Sequence, residues 1–231
     1  MDSLSLSQLQ QQLNLKFNNE DLLFQSLVHR SYLNEDKSLK SSNERIEFLG
    51  DAILEAWISD YLYKNFPQYP EGPLTNLRAL SVCTQNLALI CKEIGLNDFV
   101  LLSKGEERNK GRDNPSILAD SFEALVGALY LDQGFTAVSA FLDRVLIPSV
   151  VELSKLNTLK DPKSNFQEIA QDKTNTTPHY EVISESGPDH QKSYLIAAYI
   201  GEKLIAKGKG NSKQRAQEDA ALKAIKILKK E

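Results

Sequence analysis

Two apolar stretches of this chain carry acids where a core helix would not. In the first, ERIEFLGDAILEAWI at 44–58, Glu44, Glu47 and Asp51 recur at intervals of three and four. On a helix those intervals place all three on one stripe. In the second, ILADSFEALVGALYL at 117–131, Asp120 and Glu123 stand at i and i+3. Like charges so spaced repel, and a carboxylate taken out of water is costly unless something compensates it. Arg45 is the only basic residue in either stretch. Two readings follow. The stripes are solvated faces or pair with basic residues elsewhere in the fold, or they meet and bind a divalent cation. All-oxygen ligands select Mg²⁺ or Mn²⁺ over zinc. A carboxylate cluster of that kind suits hydrolysis of a phosphodiester, where bound metal acidifies water and offsets charge on the phosphate.

The elements that must position these acids are helical. Apolar spacing predicts a short opening helix through Leu13, and a second helix capped by Asn19. Further helices are expected over 44–64, 75–93, 117–131 and 136–152, with Gly95 and Gly134 as breaks. No strand is expected before residue 160. The polar segment 153–165 then marks a change of character. A helix over 164–173 precedes strands over 179–184, 192–200 and 203–207, with Gly201-Glu202 as a tight hairpin. A last helix is expected over 211–230. The fold class is therefore an all-α domain followed by a small α+β domain of order α-β-β-β-α.

Net charge is −4 over 231 residues, which argues against a nucleic-acid partner until its distribution is considered. Residues 1–160 hold 15 lysines and arginines against 21 acids, whereas 207–230 hold eight against two. A basic end on an acidic chain is the footprint of a phosphate-binding module, or of a solvated helix face. No uninterrupted run of about 18 apolar residues is present, so no membrane span is expected. The N-terminal residues lack a basic-then-apolar block, which points to a cytoplasmic protein. Cys83 and Cys91 lack metal-ligand spacing and are expected to pack, reduced.

The residues also carry a resemblance. NERIEFLGDAIL at 43–54 is similar to the signature motif of the ribonuclease III family, and ILADSFEALVGALYLDQG at 117–134 to its second carboxylate motif. HRS at 29–31 and LTNLRAL at 74–80 resemble further family segments, and 161–231 resembles a double-stranded-RNA-binding domain. A twelve-residue motif with a second at the right separation is a specific match. The resemblance implies a ribonuclease III-like endonuclease domain over 1–152, a linker over 153–162 and an RNA-binding domain over 163–231. It implies an endoribonuclease for double-stranded RNA that leaves 5′-phosphate and 3′-hydroxyl ends, processing precursor rRNA and structured mRNA. A non-catalytic double-stranded-RNA-binding protein is the alternative. Glu47, Asp51, Asp120 and Glu123 match the metal-binding carboxylates, with Asp51 and Glu123 tied most closely to catalysis and Glu44 helping to position the site. Mg²⁺ is the implied cofactor, with Mn²⁺ as substitute and no organic cofactor. The family acts as a homodimer, and Phe48 matches an aromatic residue of its joint; ordinary core is the other reading.

In the second domain the resemblance assigns RNA contacts to Gln167 and Glu168 on the first helix, to His190 in the loop GPDH, and to Lys213 and Arg215 at the last helix. Such domains read A-form shape rather than sequence, and a helix N-terminus attracts phosphate. The loop KGEERNKGRDNPS resembles a basic family loop but departs from it at Asp113-Asn114-Pro115. Lys104, Arg108, Lys110 and Arg112 are its candidate phosphate contacts. His29 is read as a helix-end residue and His179 as structural.

Overall fold

The computed structural model describes residues 3–155, 162–188 and 192–229. They form two compact units, Met1–Lys155 and Leu156–Glu231. The first is helical. Its elements are α1 (Ser3–Leu13), α2 (Glu20–Ser26), α3 (Glu44–Asn65), α4 (Glu71–Ser81), α5 (Thr84–Glu93), α6 (Lys104–Arg108), α7 (Pro115–Val145) and α8 (Ile147–Ser154), with short 3-10 turns between some of them. The second has α9 (Pro162–Thr174), β1 (Pro178–Ser186), β2 (Ser193–Ile200), β3 (Lys203–Gly210) and α10 (Lys213–Leu228).

In the first unit α7 is the axis. Asn114 caps it by accepting from the Ser116 amide, and Pro115 occupies its first turn, where no amide partner is lost. Its side chains from Ile117 to Leu129 are mostly buried, with Phe122 and Phe141 packed at 6.0 Å between ring centres. By length and composition α7 is apolar enough to cross a bilayer. It is not an uninterrupted apolar run, since Asp120, Glu123 and Asp132 fall within it. It also bends at Gly134, whose φ of +76 suits glycine alone, and its apolarity is spent on the core of this unit. The bend was expected. The following helix stops at Leu146, eleven residues after Phe135, and α8 restarts with Pro148 in its first turn. The single helix expected over 75–93 is likewise two, broken at Val82 and Cys83.

Along α3 only one stripe is inward: Ile46, Gly50, Leu54, Trp57, Ile58 and Leu62. A stretch apolar on nearly every side thus buries only part of its circumference. Its opposite face leaves Phe48, Ala52, Ala56 and Tyr63 exposed. A strand-like junction ties the start of α3 to the rest. Val28 and Leu101 form an isolated parallel bridge. The His29 amide donates to the Leu101 carbonyl (3.1 Å), the Leu101 amide to Leu27 (2.8 Å) and the Asn43 amide to Val28 (2.8 Å). The buried Asn43 side chain adds a bond to the Ser26 carbonyl.

The second unit is a three-stranded antiparallel sheet of order β1-β2-β3. Gly201, at φ +57, makes the tight β2–β3 turn. Phe166, Ala170, Ala198, Ile200, Ala220 and Ala224 are among its core residues, so α9 and α10 lie on one sheet face. Gly208 lets β3 touch the α10 backbone, where a Cβ would strike Ala216 and Ala220.

Candidate metal centre and nucleic-acid interface

The two acid-bearing helices cross where neither has a side chain. A Cβ at Gly50 would run into the backbone of Glu123 and Gly127, and one at Gly127 into the Ile46 carbonyl. This crossing lays the α3 stripe against the α7 stripe. One carboxylate oxygen each from Glu47, Asp120 and Glu123 lie within 4.8 Å of one another. Three anions at that separation, half-buried, are held together only at electrostatic cost.

Their titration expresses that cost. Glu123 is pushed from 4.5 up to about 8, first by burial, then by the charges of Asp51, Asp120 and Glu47. Glu47 is raised by burial and then by Asp120, Glu44 and Asp51. Asp120 is raised by burial alone, against the opposing pull of His29 and Arg30. Burial, reinforced at Glu47 and Glu123 by mutual charge, thus disfavours the ionised acids, a cost that a bound cation would relieve. The donors are oxygens only, with no thiolate or imidazole among the three, which fits Mg²⁺ or Mn²⁺.

Asp51 and Glu44 stand to either side of the trio. Asp51, one turn beyond Glu47, is exposed. It is not drawn into the 4.8 Å group, but it is the largest charge acting on Glu123. Glu44 accepts a bond from Ser42 Oγ at 2.8 Å and lies 3.9 Å from Arg30 Nη1. A cavity of about 720 Å³ is lined by Glu47, Asp120 and Glu44 together with His29, Arg30 and Glu106. Sequence reasoning missed the last three as lining residues. His29 does cap a short helical turn, its Nδ1 accepting from the Ser31 amide. Its place in the cavity depends on the 28–101 bridge, which no local pattern reveals.

The loop before α7 resolves its own departure. Asp113 binds Lys92 Nζ at 2.6 Å, and Asn114 is the α7 cap. Both are thus committed to holding the loop. Arg112 is withdrawn as a phosphate contact: its guanidinium donates to the Asn97 and Asp98 carbonyls and to Glu107 at 2.7 Å. Lys104, Arg108 and Lys110 remain exposed.

In the second unit Gln167 and Glu168 line an open groove on α9 with Ser164, Gln171 and Asp172. Lys213 and Arg215 are exposed at the start of α10, where Ser212 Oγ accepts from the Arg215 amide. The first amides of the helix still point outward, so backbone dipole and formal charge coincide there. Lys213 Nζ lies 5.9 Å over the Tyr194 ring. His190 lies outside the described residues. His179 stacks on Tyr199 at 5.2 Å, beside Glu181, in keeping with a structural part.

Phe48 is 79% exposed, so the ordinary-core reading of it fails.

Comparison with known proteins agrees with this geometry. Residues 19–150 match a family model described as Ribonuclease-III-like, and residues 162–228 one described as Double-stranded RNA binding motif. A Ribonuclease 3 from Staphylococcus saprophyticus is 43% identical over 220 residues, covering 95% of this chain and 90% of the relative. One from Latilactobacillus sakei is 40% identical over 230 residues, covering 99% and 100%. The crystal structure of the nuclease domain of ribonuclease III from Campylobacter jejuni aligns with a TM-score of 0.57 at 38% identity, covering 64% of this chain and 97% of that one. A second structure of that domain, described for flexibility in a region involved in dimer formation, gives 0.56 at 39%, covering 61% and 94%.

Proposed function

The chain belongs to the ribonuclease III family, and from that premise we propose that it is a Mg²⁺-dependent endonuclease in which two helices build the cutting centre and a second domain holds the duplex. The observation that carries this reading is the convergence of Glu47, Asp120 and Glu123 oxygens from two crossing helices within 4.8 Å.

Glu47, Asp120 and Glu123 are the residues that would hold the ion, with Asp51 swinging in from the exposed end of the stripe. When bound, a divalent ion supplies an acidified water and charge relief at the phosphate. The chain's own residues do the rest. Glu123, whose protonated form is favoured by burial and by its acidic neighbours, would have to release a proton to serve as a ligand, which would make loading pH-dependent. Glu44 is held by Ser42 in the cavity wall beside Glu47 and keeps that wall oriented. Water attacks phosphorus and the 3′-oxygen leaves, giving 5′-phosphate and 3′-hydroxyl ends.

Gln167 and Glu168 on α9 and Lys213 and Arg215 on α10 are the RNA contacts, joined by His190. Polar groups reach 2′-hydroxyls in the minor groove, and the cations meet phosphates. Phe48, with Ala52, Ala56 and Tyr63, gives α3 an exposed apolar face suited to a second copy of the chain, so that two centres cut the two strands. The domains are taken as 1–152 and 163–231, joined by 153–162. Cytoplasmic processing of precursor rRNA and structured mRNA is the setting this chemistry serves.

The test is incubation of a long RNA duplex with the chain and Mg²⁺, followed by end-group analysis. Short duplexes with 5′-phosphates are expected. Glu123→Gln should abolish cutting while duplex binding persists in Ca²⁺. Cutting by that variant at the parent rate would refute the role given to Glu123.

A further inference from the structure

His29 borders the acidic cavity, yet the metal centre as built above makes no use of it. Its imidazole is anchored by a short relay. The Ser103 amide donates to Ser31 Oγ at 3.0 Å. Ser31 Oγ lies 2.8 Å from His29 Nδ1, and the Ser31 amide donates to the same nitrogen at 3.3 Å. A nitrogen that accepts from an amide carries no proton. Ser31, whose oxygen already accepts from Ser103, therefore donates its hydroxyl hydrogen to Nδ1. The ring's one N–H is then on Nε2. Burial holds this imidazole below its ordinary titration range, consistent with a neutral ring.

Nε2 makes no hydrogen bond among the described residues. It belongs to a ring that lines the same cavity as Glu47 and Asp120. Of the three clustered carboxylates, Asp120 alone has His29 and Arg30 acting on it. A donor fixed in tautomer and orientation, lacking a protein acceptor among the described residues and carried by a ring that lines an oxygen-rich cavity, is built to hold an oxygen that arrives later.

We propose that His29 is a positioning residue for the metal centre: the Ser103–Ser31 relay fixes its Nε2–H, which holds the Asp120 carboxylate in its ligating orientation through a single water. The inference rests on the metal reading given above. It extends that reading to a residue outside the carboxylate set, and makes Ser31 and the Ser103 amide part of the same device.

The experiment uses the full chain. Mn²⁺ is titrated by calorimetry without RNA, and the Mg²⁺ midpoint for duplex cleavage is measured in parallel. His29→Ala should weaken Mn²⁺ binding about tenfold or more, the usual effect of losing a group that orients a ligand. The Mg²⁺ midpoint should rise by a similar factor, with duplex binding in Ca²⁺ unchanged. His29→Gln keeps an N–H donor and should recover part of the loss. Ser31→Ala leaves the ring but frees it, and should fall between. A His29→Ala chain that melts like the parent and binds Mn²⁺ equally well overturns the proposal. Should His29→Ala not fold, parent-like Mn²⁺ affinity in both His29→Gln and Ser31→Ala overturns it. Failure of the unaltered chain to bind Mn²⁺ or to cut would instead sink the metal centre itself, a result visible before any variant is made.

Discussion

At the scale of single residues, the acids were legible because they violate a pattern. A carboxylate every third or fourth residue of an apolar run has no packing reason to be there. What the sequence could not show is how unequally they are placed. Three converge, while Asp51 stays exposed outside the 4.8 Å group. The convergence has a measurable consequence. Glu47, Asp120 and Glu123 all titrate above their ordinary values when folded, and Glu123 reaches about 8. Unfolding returns them to the ordinary range. Between the unfolded value of 4.5 and about 8, the folded chain thus binds more protons than the unfolded one. Stability must fall as pH rises through that window. The metal-free chain is expected to melt at a higher temperature at pH 6 than at pH 8. Added Mg²⁺ should narrow the gap, because a cation relieves the charge that the proton otherwise neutralises. Thermal melts with chelator and with Mg²⁺ check both signs. A second residue-scale expectation concerns the basic end. Lys213→Ala with Arg215→Ala should weaken duplex binding and flatten its log–log salt dependence by about one unit per side chain removed. Filter binding at several salt concentrations reads this directly. Arg112→Ala is the useful contrast: its guanidinium is occupied within the loop, so its loss should leave the salt slope unchanged.

At the scale of elements, most helices announced themselves by spacing and caps. Asn19 caps α2, Asn43 precedes α3 and Gly95 ends α5, all as expected. The misses differ in cause. The break between α4 and α5 falls at Val82 and Cys83, with no glycine or proline to mark it. The break before α8 did have a marker in Pro148, which also fits the first turn of a helix and so reads ambiguously. The α3–α7 crossing was invisible for another reason: a glycine on a helix is usually a weakness, not a contact. Here Gly127 sets how close the two acid stripes lie. Gly127→Ala should press the helices apart. We expect a stability loss of about 1–3 kcal/mol, the range for an overpacked site, together with a raised Mg²⁺ midpoint. Gly134→Ala is the matched control. It strains a backbone at φ +76, yet its Cβ would meet nothing within 4 Å. It should cost stability of about 1–3 kcal/mol without moving the Mg²⁺ midpoint.

At the scale of the whole molecule, the division into two units was legible from composition: an apolar helical first part, then a basic-ended part with strand periodicity. Each unit has its own buried core. The acidic total charge concealed the basic end, because a net figure averages over both. Phe48 was the least legible residue, since an aromatic in a core-like motif reads as core. The 79% exposure of Phe48 settles that it is not core in a single copy. Phe48→Ala is therefore expected to leave the melting of a lone chain nearly unchanged while shifting the chain toward monomer. Sedimentation across a hundredfold range of concentration would show it. A variant that remains as associated as the parent would remove Phe48 from the joint.

The junction of Val28 with Leu101 has one more consequence. Irregular backbone near a protein surface usually trades its amide hydrogens with solvent within seconds to minutes. Here the amides of His29, Asn43, Leu101 and Ser103 are all donated across segments far apart in sequence. They should exchange deuterium as slowly as the middle of a long helix, and together rather than one by one, because opening any of them requires lifting the whole clasp beside the acidic cavity.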